Sequence, residues 1–254
     1  MSGESILNVS AYKFVPLTAL PLLQEQVQRQ ARAHGLKGTV LLAEEGINLF
    51  LAGPAQPLRA MLSWLRGQAG LHDLEAKESW SHAVPFRHLR VKIKREIIRM
   101  NHPAIQPAAG RAASVDAATL ARWLAAGHDD SGRPVVTLDT RNAFEVDHGR
   151  FSGAIDWHIE KFSDFPAAAQ AHREELAGKT VVSYCTGGIR CEKAALVLRE
   201  MGLESIYQLD GGILKYLEAA PGAPHWEGVC FVFDGREALD ERLEPAAGAA
   251  AGRS

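Results

Sequence analysis

With 254 residues, 46% of them hydrophobic and 23% charged, the chain has room for one large or two ordinary domains and the composition of a soluble globular protein. No apolar run is long enough to span a bilayer, and MSGESILNVSAYKF lacks the basic-then-apolar order of a signal peptide. Three cysteines, Cys185, Cys191 and Cys230, argue against a secreted disulfide scaffold and for a reducing cytoplasm. The net charge of −2 hides an asymmetry: residues 1–105 hold 13 Lys and Arg against 8 Asp and Glu, and the remainder 15 against 22. A basic part joined to an acidic part suggests two domains, one of them suited to a polyanion.

ILNVSAYKFVPL reads as a strand, and LPLLQEQVQRQARAHG as a helix with Leu22, Leu23, Val27, Ala31 and Ala33 on its apolar side and Gly35 as the glycine that ends it. KGTVLLAEEGINLFLAGP reads as two strands about a turn at Glu45-Gly46, PLRAMLSWLRGQAG as a second helix ending at Gly67 or Gly70, and HLRVKIKREIIRM as a last strand or strand pair. The order β-α-β-β-α-β is the split βαβ pattern of ferredoxin-like folds, here assigned to residues 1–105. HPAIQPAAGRAAS reads as a linker, after which Ser114 is placed to cap the helix VDAATLARWLAAG; residues 106–129 are thus linker and lead-in helix.

From residue 130 strands and helices alternate. PVVTLDTR, AIDWHI, TVVSYC and SIYQLDGG read as strands, and FPAAAQAHREELAG, CEKAALVLREMG and GILKYLEAA as helices. This implies a parallel sheet flanked by helices over residues 130–225, with ligands bound beyond the carboxyl ends of the strands. Residues 226–254 form a C-terminal segment and a low-complexity tail, EPAAGAAAGRS, expected to be disordered.

The loop after TVVSYC carries the chemistry. Cys185 ends the strand, Thr186 follows, and Gly187 and Gly188 let the backbone curl so that N–H groups point inward. Ile189, Arg190 and Cys191 lead into a helix whose positive end faces the same spot, and Arg190 adds a permanent charge. An anion at position 185 is favoured, so the Cys185 thiol should ionise below the ordinary value of about 8.5 and react faster than Cys230. The alternative is a small buried cysteine beside a glycine turn.

The pattern Cys-x-x-Gly-x-Arg over residues 185–190 is one residue shorter than the phosphate cradle of cysteine phosphatases, and it resembles the persulfide loop of single-domain rhodaneses. LDTRNAFEVDHGRFSGAIDWHI and YQLDGGILKYL resemble two further rhodanese segments, in the right order. The longer string YCTGGIRCEKA, with LKGTVLLAEEGIN and HWEGVCFVFDGR, resembles the bacterial tRNA uridine hydroxylases, the TrhO proteins, over about residues 5–243. That resemblance implies an acylphosphatase-like N-terminal domain followed by a rhodanese domain. It also implies oxygen-dependent formation of 5-hydroxyuridine at wobble position 34 of tRNA, with Cys185 as the active-site or persulfide cysteine and Arg190 beside it. Molecular oxygen would be co-substrate, and no cofactor motif is evident. Longer members continue beyond the FVFDGR-like segment with a further cysteine-containing region.

PFRHLRVKIKREIIRM fits a tRNA partner. On a strand Arg90, Lys92 and Lys94 face one way and Val91 and Ile93 the core, with Arg95 next in line, so a row of cations can follow a phosphate backbone. The plain alternative is an edge strand protected by lysines. Glu44-Glu45-Gly46-Ile47-Asn48 reads as a hairpin turn, with a substrate role as the other reading. His148 and His158 with Glu160 would supply two histidines and a carboxylate for non-haem iron, the plain alternative being ordinary polar residues, and no Cys/His spacing matches a zinc site. Cys191 either resolves an oxidised Cys185 as a disulfide or packs beneath the loop. A sulfurtransferase passing on a cysteine persulfide is the alternative activity, a redox-switched RNA-binding protein the non-catalytic one, and a phosphatase the last.

Overall fold

The computed structural model describes residues 5–246; the end of the tail, residues 247–254, lies outside the described residues. Two compact units emerge. Residues 5–99 together with Phe233–Arg236 form the first, and residues 100–232 with residues 237–246 the second.

The first unit runs β1 (Ile6–Phe14), α1 (Leu20–Ala33), β2 (Lys37–Ala43), β3 (Gly46–Gly53), α2 (Ala55–Arg66), β4 (Ala76–Ser81) and β5 (Leu89–Ile93). Its sheet has the order β4-β1-β3-β2-β5, antiparallel except where β5 joins β2 in parallel. The first six elements are the ferredoxin-like unit, and β5 extends its edge. Along β1 the residues Leu7, Val9 and Ala11 alternate into the core, where they meet Val27 and Ala31 of α1 and Leu58, Met61, Leu62 and Leu65 of α2. The apolar stripe of α1 runs Leu20, Leu23, Val27, Ala31, at spacings of three and four. Leu22 (56% exposed) and Ala33, expected on that stripe, face solvent, because each lies more than about 120° around the axis from its centre. Gly35 takes φ +66°, as a helix-ending glycine does, and α2 stops at Gly67.

Two expectations change here. The polar edge strand β4, AKESWS, was not anticipated; it pairs with β1 from Ile6–Ser81 to Ala11–Ala76. The basic segment forms strand only over Leu89–Ile93, and Ile93, expected in the core, is 38% exposed at the sheet edge. Beyond it the β2–β3 turn grips the chain: Glu45 Oε1 accepts from Ile97 N at 2.7 Å, and Asn48 Nδ2 donates to Ile97 O at 3.1 Å. Gly46, at φ +148°, lies against the Lys13 carbonyl where no Cβ fits. The EEGIN turn therefore holds backbone. In the FVFDGR segment, Gly235 N donates to Pro85 O, and Arg236, paired to Asp234, donates to Ser79 Oγ.

The second unit runs β6 (Ala113–Val115), α3 (Ala117–Ala126), β7 (Val135–Asp139), α4 (Ala143–Val146), β8 (Gly149–Phe151), β9 (Ile155–Asp156), α5 (Phe165–Ala171), α6 (Arg173–Leu176), β10 (Thr180–Tyr184), α7 (Ile189–Glu200), β11 (Ile206–Leu209), α8 (Gly212–Ala219), β12 (Trp226–Gly228), β13 (Cys230–Phe231) and β14 (Ala238–Leu239). Its main sheet is parallel, in the order β6-β11-β10-β7-β9. Every residue of the central strand β10 is buried, as expected of a parallel sheet covered on both faces. Ser114 does not cap α3: it lies in β6, and the Asp116 carboxylate accepts from Thr119 N at 2.7 Å instead. The helix expected over FPAAAQAHREELAG divides at His172, whose ring stacks on Trp157 and bonds Glu175.

Candidate active site

Strand β10 delivers Cys185 to the carboxyl edge of the sheet, and the chain turns at once into α7. Gly188 makes that turn at φ +96°, in the region glycine enters freely. Its N–H donates to Cys185 Sγ at 3.1 Å, and the main-chain N–H of Arg190, in the first turn of α7, points at the same sulfur. Thr186, Gly187, Gly188, Ile189, Arg190 and Cys191 thus form one continuous cradle around Cys185, which is fully buried.

The loop is held from the other side by α8. Gly211 and Gly212 both take φ +68°, and Ile213 N and Leu214 N donate to the carbonyls of Cys185 and Thr186, each at 3.0 Å. A Cβ on Gly212 would lie 2.4 Å from the Cys185 oxygen and 2.7 Å from Gly188 N. The double glycine lets the start of one helix take the loop carbonyls, leaving the loop N–H groups turned toward the sulfur.

Burial opposes the Cys185 thiolate, but the Cys191 thiol donating to it, the nearby Arg190 charge and the N–H groups of Arg190 and Gly188 outweigh burial and lower its pKa. Cys191 moves the other way: burial and the neighbouring anion push its thiol well up. The proton of this pair therefore belongs on Cys191, whose sulfur also lies 3.8 Å from Thr140 Oγ1. Burial pushes Cys230 up to about 12, so this thiol stays protonated at neutral pH.

Two buried ion pairs underlie the loop. Arg190, expected to add its charge beside the sulfur, turns its fork onto Glu145: Nη1 donates to Oε2 at 2.6 Å and Nη2 to Oε1 at 2.7 Å. Burial works against both charges, yet each partner overcomes it for the other, so Arg190 is raised and Glu145 lowered. Asp139, at the end of β7, pairs with Arg141, which also donates to the carbonyls of Gly149 at 2.6 Å and Glu145 at 3.3 Å. The Asp-x-Arg motif thus ties β7 to α4 and β8. Glu145, fully buried, accepts further from Asn142 N at 3.2 Å and Thr186 Oγ1 at 3.3 Å. It was visible in sequence only as one residue of a longer segment.

The remaining candidates separate from this centre. Arg90, Lys92, Lys94 and Arg95 are all exposed, on or just after β5 of the first unit. His158 bonds Asp156, His148 packs beside Phe231, and no group of three or more His, Cys, Asp or Glu able to hold a metal occurs among the described residues. An iron set of His148, His158 and Glu160 is therefore not assembled. No helix among the described residues is long and apolar enough to cross a membrane.

A parallel sheet whose central strand ends in a cysteine cradled by N–H groups, carried in one chain with a split βαβ unit, defines a rhodanese-like protein with an acylphosphatase-like partner domain. Family models agree unit by unit: the UPF0176 acylphosphatase like domain matches residues 6–97 and the Rhodanese-like domain residues 119–219. The chain belongs to the tRNA uridine(34) hydroxylase family. It is 66% identical over 242 residues to the tRNA uridine(34) hydroxylase of Bordetella petrii, covering 95% of this chain and 96% of that one. It is 60% identical over 251 residues to that of Variovorax paradoxus, covering 99% and 95%. It is 56% identical over 241 residues to that of Cupriavidus taiwanensis, covering 95% and 85%.

Proposed function

We propose that this protein hydroxylates the wobble uridine, position 34, of tRNA to 5-hydroxyuridine with molecular oxygen as co-substrate, and that Cys185 is its active-site sulfur. The observation that carries the reading is the near end-to-end similarity to relatives named for this activity, 66% identity across 95% of the chain. The geometry supports the sulfur assignment. An anionic Cys185 in a ring of N–H groups is a nucleophile ready at neutral pH, and Cys191 beside it is a proton donor. The exposed cations Arg90, Lys92, Lys94 and Arg95 suit a phosphate backbone, which they would position while other groups select the base. The unbridged thiols and a tRNA substrate support a cytoplasmic site for the reaction.

The test is mass spectrometry of tRNA nucleosides from cells that lack the activity and carry either the wild-type gene or Cys185→Ser. 5-Hydroxyuridine with the wild type alone supports both parts of the proposal. Equal amounts with both genes remove Cys185 from the reaction, and none with either removes the activity. The cysteine cradle also favours sulfur transfer, through a persulfide on Cys185. Thiocyanate made from thiosulfate and cyanide, without 5-hydroxyuridine in tRNA, would establish that reading instead.

A further inference from the structure

The ion pair beneath the loop has an unusual place. A buried guanidinium acts on a buried thiolate, where opposite charges attract strongly. The Arg190 charge acts on the Cys185 sulfur, and its terminal nitrogens are donors that a sulfur could accept. Both terminal nitrogens instead meet the two oxygens of Glu145, at 2.6 and 2.7 Å, the bidentate match that a carboxylate offers and a single sulfur cannot. Glu145 is fixed in turn. Its backbone lies in α4, its carboxylate accepts from Asn142 N, and Thr186 of the cysteine loop donates to Oε1. One buried carboxylate therefore joins α4, the loop and the first turn of α7.

We propose that Glu145 is a positioning residue: it draws the Arg190 guanidinium onto itself, so that the Cys185 sulfur is met by main-chain N–H groups and the Cys191 thiol rather than by the guanidinium fork. This rests on the assignment of Cys185 as the active-site sulfur, not on the identity of the substrate. The arrangement divides the labour. Fixed N–H dipoles and the Cys191 thiol hold the anion, while the guanidinium is occupied by the carboxylate. Glu145 itself touches neither sulfur nor substrate. Its effect passes through Arg190, and that dependence is what an experiment can read.

The test is a pH titration of the Cys185 thiolate by its ultraviolet absorbance, with Cys185→Ser subtracted in each background. The series is wild type, Glu145→Gln, Arg190→Gln and the double variant, with the fold of each checked by circular dichroism. Glu145→Gln keeps the shape and removes the charge, so the anions left to act on Arg190 are Cys185 and the Arg141-paired Asp139. The titration midpoint should fall by about one pH unit. In the Arg190→Gln background the same Glu145→Gln change should move the midpoint much less, because no guanidinium is there to release.

An unchanged or raised midpoint in folded Glu145→Gln overturns the proposal. So does an equal shift with and without Arg190, which would mean that Glu145 acts by its own charge alone. Should Glu145→Gln fail to fold, Glu145→Asp, which keeps the charge and shortens the arm, gives the same test through a smaller downward shift. None of these readouts involves tRNA, so a failed hydroxylase reading and a failed clamp are told apart.

Discussion

Replacing Gly212 by alanine tests whether the start of α8 holds the cysteine loop in place. Gly127 supplies the control: it ends α3 at φ +76° with nothing within 4 Å of an added Cβ, whereas Gly212, at φ +68°, would press a Cβ to 2.4 Å from the Cys185 carbonyl. Both substitutions carry the conformational cost of a side chain in the left-handed region, about 1 kcal/mol. Only Gly212→Ala must also push helix and loop apart. That weakens the bonds from Ile213 N to Cys185 O and from Leu214 N to Thr186 O, worth about 1 kcal/mol each. The expected losses are about 3 kcal/mol for Gly212→Ala and about 1 for Gly127→Ala.

The assay is the labelling rate of Cys185 under native conditions, read by mass spectrometry. The thiol is buried, so reagent reaches it through open states, and where closing outpaces labelling the rate follows the opening equilibrium. A difference of about 2 kcal/mol makes Cys185 label ~30-fold faster in Gly212→Ala than in Gly127→Ala. Equal rates in the two variants would refute the claim that the α8 contact shapes the loop.

Other outcomes follow from the buried charges and the exposed ones. The Cys185 thiol, lowered to about 5 in the fold and near 8.5 in an unfolded chain, lets the unfolded state bind the extra proton between those values. Its stabilisation is complete above the unfolded value and is lost as pH falls through the folded one. The urea-midpoint difference between wild type and Cys185→Ser should therefore grow with pH across that window, and a flat difference would contradict the assigned ionisation. Arg141→Met strands the buried Asp139 carboxylate and should lower stability by about 3–5 kcal/mol in thermal unfolding. Pairing it with Asp139→Leu should recover most of that, and a single-variant loss below about 1 kcal/mol would show that the pair does not hold β7 to α4. Lys92→Glu with Lys94→Glu should weaken tRNA binding and flatten its salt dependence, by a slope of about 0.7 or more per lost phosphate contact. Unchanged binding by filter retention across salt would remove β5 from the interface.

Much of this molecule is local and so could be read along the chain. The periodicity of β1, the alternation of strands and helices after residue 130, and the loop from Cys185 to Cys191 all lie in contiguous stretches. Their side-chain spacing alone decides which face is buried, or which N–H groups gather at a strand end. Misjudged elements were those whose fate depends on neighbours. AKESWS is polar and becomes strand because β1 offers it an open edge, Leu22 faces out because the contact of α1 is centred on Val27 and Ala31, and Ser114 cannot cap because β11 recruits it into the sheet.

At the site the same division holds. The sequence by itself determined that residue 185 would be a thiol at a strand end, followed by a glycine turn and a helix start, and these suffice to favour its anion. Only the tertiary structure decided what that anion meets. Glu145 is 45 residues from Arg190 and takes its guanidinium, and Gly212, far along the chain, presses α8 against the loop. Such pairings are settled by which strands of the parallel sheet lie side by side, because β7 next to β10 brings α4 over the loop and β11 on the other side brings α8.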